Sequence, residues 1–150
     1  VFVSSMGGTN PENFLNSIGR RKDGSGGDIL LWKRKAERYL VDSGVPYTII
    51  HPGGLVDEDG SKRELVVGVN DEIMKDPAFA SGGTRSVARA DVARVCKAAL
   101  GSAATGVALD LVSKKLGDGT PTKDASTVFA SSPGKYTYES AATDPPSIFS

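Results

Sequence analysis

An α/β fold built on a parallel sheet is what this sequence predicts, and three observations predict it. Short β-branched runs stand at 1–5, 47–50 and 107–112. A helical pattern fills 28–43, between the first two runs, and glycine-rich loops follow both of them. Strand, crossover helix and strand in this order make a βαβ unit, whose strands should lie parallel. Continuous apolar runs rather than alternation mark strands covered on both faces.

Taken in order, VFVSS opens the chain as a buried strand and stops at Met6-Gly7-Gly8. A chain that begins mid-strand reads as a fragment lacking the segment before it. Residues 7–27 read as loop, punctuated by Pro11, several glycines and the basic run Arg20-Arg21-Lys22. Asp28 is placed to cap a helix that Gly44 ends. After Val45-Pro46, the strand YTII (47–50) terminates at His51-Pro52-Gly53-Gly54. RELVVGV (63–69) reads as a brief edge strand, and 91–100 carries Val92, Val95, Cys96, Ala99 and Leu100 at helical spacing. VALDLV (107–112) is the third strand, and a weaker helix is expected within 122–129. Residues 1–130 form one unit on this reading, and the Ser/Pro/Gly/Thr-rich stretch 131–150 is expected to be a disordered tail.

At 150 residues the chain suffices for one domain with a core. Eighteen basic and eighteen acidic residues cancel, so no bulk field points to nucleic acid or an anionic membrane surface. No apolar run approaches the ~20 residues of a membrane span. The single cysteine, Cys96, rules out an internal disulfide and reads as a structural thiol. With one histidine and one cysteine no zinc constellation assembles, and no G-x-S-x-G elbow presents a nucleophilic serine. Asp57-Glu58-Asp59 lacks the glycine and glutamate of a calcium loop, since Lys62 and Gly68 hold those places. It reads as a solvated turn. The basic residues from Arg20 to Arg38 read either as a phosphate grip or as an ordinary solvated face.

Candidate chemistry gathers at the strand ends. In open α/β sheets ligands bind beyond the carboxyl ends of the strands, where Ser4-Ser5 and Pro52-Gly53-Gly54 both fall. Serine hydroxyls there can hydrogen-bond a carbonyl, and the glycines let backbone approach a flat ligand. On the helix, Ile29, Ala36 and Leu40 align at ~100° per residue, and Lys33 falls inside that stripe. A lysine so placed needs a partner or a ligand, or else its stem covers apolar surface while the ammonium reaches water.

VFVSSMGG, WKRKAERYLVDSG and PYTIIHPGGLVDEDG, with RADVA and LDLVS later, together resemble the atypical short-chain dehydrogenase/reductases, and among them the NmrA-like NAD(P)-binding Rossmann proteins. The resemblance covers residues 1–130. It implies a partial Rossmann-type, doubly wound parallel sheet lacking its N-terminal half. It also implies NADP as cofactor, with NAD as the alternative, and a small-molecule substrate whose identity stays open. Lys33 matches the lysine of the family's Tyr-x-x-x-Lys pair, which meets the nicotinamide ribose. Pro52, Gly53, Gly54 and Leu55 match the loop along the nicotinamide. Ser4 or Ser5 matches the serine that orients a substrate carbonyl, Ser5 being favoured for catalysis and Ser4 for cofactor contact. The departure is Ile29, which stands where the proton-donating tyrosine belongs. The function implied is thus a weak NADPH-dependent carbonyl reductase or a non-catalytic dinucleotide-binding module. A cytoplasmic or plastid-stromal location goes with either.

Overall fold

The computed structural model describes residues 1–77, 84–101 and 105–131, so nearly all of the expected tail lies outside the described residues. Strand β1 (Phe2–Val3) pairs in parallel with β2 (Thr48–Pro52), and β2 pairs in parallel with β6 (Val107–Ser113). The edge strand β4 (Leu65–Gly68) joins β6 antiparallel, giving the order β1-β2-β6-β4. The β1 ladder continues past its two residues, because Ser4 N–H donates to Ile50 O (2.8 Å) and Met6 N–H to Pro52 O (3.1 Å).

Every residue of β2 is buried, as is all of β6 after Val107. Alternation sends Ile50, Leu109 and Leu111 to one face, where they pack with Val87, Val92, Val95 and Val128. These come from β5 (Ser86–Ala88), α3 (Arg89–Leu100) and the short α4 (Thr127–Ala130). The other face carries Ile49 and Ala108 against Leu40 and Val41 of α1 (Ile29–Asp42). Both faces are covered, which is why these strands read as unbroken apolar runs. Among the described residues no helix is long and apolar enough to cross a membrane.

Helix α1 is rotated from the face its apolar pattern predicts. The buried positions are Leu30, Arg34 and Glu37, while Ile29 is 39% exposed and Ala36 is exposed. Lys33 is half-buried beside the true core stripe and not within it. The physical reason is charge compensation. Arg34 and Glu37 neutralise each other one turn apart, so the helix can turn a polar pair inward. The cap differs as well. Asp28 occupies the N-cap position in a left-handed conformation (φ 57°) but makes no capping bond, its carboxylate meeting Arg20 instead. Asn16, from a 3₁₀ turn at Phe14–Ser17 within the expected loop, accepts from Leu30 N–H at 2.9 Å.

Strand β5 was not foreseen, nor were two further elements. Strand β3 (Gly54–Val56) follows β2 directly and pairs in parallel with β5, forming a second small sheet. A single helical turn, α2 (Glu72–Lys75), follows β4. Both lie at the rim where the strands end, and both shape the site.

Candidate functional site

A cavity of about 270 Å³ opens at the carboxyl ends of β1 and β2. Ser5, Met6 and Gly7 line it from the β1 end, and Pro52, Gly53 and Gly54 from the β2 end. Phe14 and Leu15, Met74 of α2, and Arg85 complete much of the wall. Apart from Arg85 the lining is mostly apolar, and both methionines of the chain are in it. Ser5 Oγ donates to Met6 O at 3.1 Å, which leaves its lone pairs for an incoming donor.

The two glycines after β2 differ in kind. A Cβ on Gly53 would sit 2.4 Å from Arg85 O and 3.0 Å from Val112 Cγ1, so packing against β5 and β6 demands glycine there. A Cβ on Gly54 would meet nothing closer than Arg85 O at 3.6 Å. No steric conflict inside the protein explains that glycine; its bare backbone keeps the cavity rim open. Leu55, next along, is 42% exposed and does not line the cavity.

Ser4 and Ser5 part company. Alternation points Ser4 to the α1 face, where it is buried and its hydroxyl donates to Glu37. His51 and Asp110 are register partners on β2 and β6, and Ser4 extends the same row on β1. A polar row thus crosses three parallel strands at one level, just below the cavity, and α1 lowers Arg34 and Glu37 onto it. Glu37 Oε2 lies 2.6 Å from Arg34 Nη1 and 2.9 Å from His51 Nε2. His51 Nδ1 faces Leu109 O at 3.2 Å, an atom that can only accept, so Nδ1 carries a proton.

Two carboxyls in this row are displaced in opposite directions. Burial by itself would raise Glu37, but the His51 hydrogen bond, the His51 and Arg34 charges and the Ser4 hydroxyl outweigh it and hold Glu37 below its ordinary value. Asp110 is pushed up to about 7, first by burial and then by the neighbouring Asp71 charge. Its Oδ2 accepts from Asp71 N–H at 2.7 Å, while Oδ1 has no hydrogen-bond partner. Asp71, in turn, accepts from Gly7 N–H (2.7 Å), Thr9 N–H (2.9 Å) and the Thr9 hydroxyl (2.6 Å).

Of the residues singled out in the sequence, Ser5, Pro52, Gly53 and Gly54 converge on the cavity. Lys33 does not line it and forms no ion pair among the described residues. Lys33 and Ile29 share the more exposed side of the first turns of α1, which begins at the same rim. Cys96 is half-buried, and burial raises its thiol, as suits an unreactive structural residue. The row Glu37–His51–Asp110–Asp71 was missed. Opposite charges three residues apart, at Arg34 and Glu37 in line with Leu30, were the available signal.

Residues 1–103 match the NAD(P)H-binding domain family. An uncharacterised chloroplastic protein of Arabidopsis thaliana is 55% identical over 86% of this chain and 36% of its own length. Sanguinarine reductase of Eschscholzia californica is 47% identical over 87% of this chain and 44% of its own length. The chain thus spans less than half of either relative. Among solved structures, a Bacillus halodurans protein described as an NAD-dependent epimerase/dehydratase superposes with a TM-score of 0.53 at 29% identity, covering 84% of this chain and 48% of that one. An oxidoreductase of Lactococcus lactis, 20% identical, shares the fold with a TM-score of 0.52 over 86% of this chain and 49% of its own. The sheet is Rossmann-like, the cavity lies where such sheets bind ligands, and the chain belongs to the NAD(P)H-binding, oxidoreductase-like family.

Proposed function

We propose that the protein is an NADPH-dependent reductase of the atypical short-chain type, acting slowly on the carbonyl of a small apolar molecule. The cavity at the strand ends carries this reading, because it joins Ser5 to the Pro52-Gly53-Gly54 loop over an apolar floor. The open rim at Gly54 fits a flat ring lying along the backbone. A nicotinamide dinucleotide bound there supplies hydride. Ser5, turning its hydroxyl from Met6 O, orients the acceptor oxygen and passes it a proton from itself or from water. Lys33 reaches from α1 toward the cofactor ribose, and Leu55 borders the loop beyond Gly54. Ser4, engaged with Glu37, acts by fixing the end of β1. Ile29 replaces the tyrosine that would donate the proton, and loss of a general acid costs ~10²–10⁴-fold in rate. NADP in preference to NAD follows from the resemblance, and a plastid location from relatives named chloroplastic.

Ile29 also favours a second reading, a dinucleotide-binding module that senses or signals redox state without turnover. Fluorescence titration with NADPH and NADH tests what both share. Saturable NADPH binding, weakened in Lys33→Ala, is expected; absence of binding, or binding indifferent to that change, overturns the site. A tyrosine at position 29 would fit its half-open surroundings without disturbing the core. Ile29→Tyr should therefore raise NADPH consumption across a panel of aromatic carbonyls. A flat response across the panel favours the module.

A further inference from the structure

We infer that Asp71 is a positioning residue that fastens the glycine loop after β1 to helix α2, and so sets the shape of the cavity. The inference rests on the cavity being the ligand site proposed above. One residue reaches both parts of the lining. Its carboxylate holds the Gly7 and Thr9 amides and the Thr9 hydroxyl, while its carbonyl accepts from Met74 N–H at 3.0 Å. Gly7 and Met74 both line the cavity. Met6, Ile73 and Val112 pack together beneath them, with Met74 against the cluster.

The geometry of this clamp is enforced. Asn70 and Asp71 both adopt left-handed backbone (φ 56° and 58°), a conformation that L-residues other than glycine keep only when neighbours hold it. Gly7 is left-handed too (φ 92°), and a Cβ there would meet Asn13 Nδ2 at 2.4 Å. The hold on Asp71 comes from Asp110, whose Oδ2 takes its N–H. Asp110 is faced by His51 of β2, by Arg34 and Glu37 of α1, and by Asp71 itself. With Asp110 titrating near 7, two buried carboxylates confront each other above that pH and one below it. Ionisation of Asp110 strengthens its hold on the Asp71 N–H but sets a like charge beside the Asp71 carboxylate, so the cavity lining should respond to pH.

Met6 and Met74 are the only methionines, so ¹³C-methyl labelling of methionine in the full chain yields two signals, both from the cavity. Asp71→Asn, which cannot accept from all three donors, is expected to speed hydrogen exchange at Gly7 and Thr9 by about tenfold or more and to shift both methyl signals. Thr9→Val, losing one of the three bonds, gives a smaller change of the same kind and serves should Asp71→Asn not fold. In the unaltered protein both methyls are expected to shift together with a midpoint near 7, and Asp110→Asn to abolish that titration. Unchanged exchange in both Asp71→Asn and Thr9→Val overturns the clamp, and methyl signals flat from about pH 5.5 to about 8.5 overturn its coupling to Asp110. Protein that shows these responses yet binds no NADPH upholds the clamp and removes the cofactor assignment.

Discussion

Replacing Asp110 by asparagine isolates a proton-linked cost built into the sheet. Asparagine keeps the shape and can still accept from Asp71 N–H, but it never ionises. Asp110 is fully buried and its carboxyl is pushed from 3.8 to about 7. Between those values the folded chain holds a proton that the unfolded chain has released. Stability from this group is therefore complete below about pH 4 and lost as pH rises through 7. A gap of about 3 units, at about 1.4 kcal/mol each, amounts to about 4 kcal/mol. Urea unfolding of both proteins at one-unit steps from about pH 4 to about 8 reads it directly. Groups remote from Asp110 titrate alike in the two proteins and drop out of the difference. The variant should gain steadily on the parent, reaching an advantage of up to about 4 kcal/mol at the alkaline end. A difference independent of pH, or one that grows toward acid, would refute the placement of an ionisable carboxyl in this row.

Other consequences follow from single contacts. Arg34→Met strips the buried Glu37 of one cationic partner and should cost about 3–5 kcal/mol in urea unfolding, although Arg34 lies on a helix rich in surface charge. Gly53→Ala forces a methyl onto Arg85 O and should destabilise by about 1–3 kcal/mol, whereas Gly54→Ala should leave the melting temperature near that of the parent while weakening NADPH binding. Asn16→Ala removes the acceptor for Leu30 N–H and should cost about 1 kcal/mol, seen as a lower thermal midpoint with loss of helical signal from α1.

The elements that local chemistry specifies were legible. β2 and β6 announce themselves as β-branched runs because they are buried on both faces, and α3 shows its apolar side at Val92, Val95 and Ala99. Short pieces were not. β3 and β5 have three residues each and exist because they pair with one another across the rim, a contact no local pattern encodes. α2 is a single turn held by two left-handed residues and by Asp110. Ser5 and the Pro-Gly-Gly loop, which line the cavity, were picked out because a strand end in an open sheet has a known use. Ser4 was grouped with its neighbour, yet a strand turns adjacent side chains to opposite faces, and Ser4 went to Glu37.

The order of strand, helix and strand, the glycine-marked ends and the apolar runs are properties of neighbouring residues, so the chain alone determined a parallel α/β sheet with its ligand rim. Which way α1 rolls is a different kind of question. Apolar periodicity pointed to Ile29 and Ala36, and the fold chose Leu30, Arg34 and Glu37. A charge is costly to bury only while it stands alone, and the groups that satisfy these two come from the ends of β1 and β2 as well as from the helix. Those partners meet only when the sheet has formed. The tertiary structure thus decided the inward face of the helix, the polar row beneath the cavity and the carboxyl that titrates there.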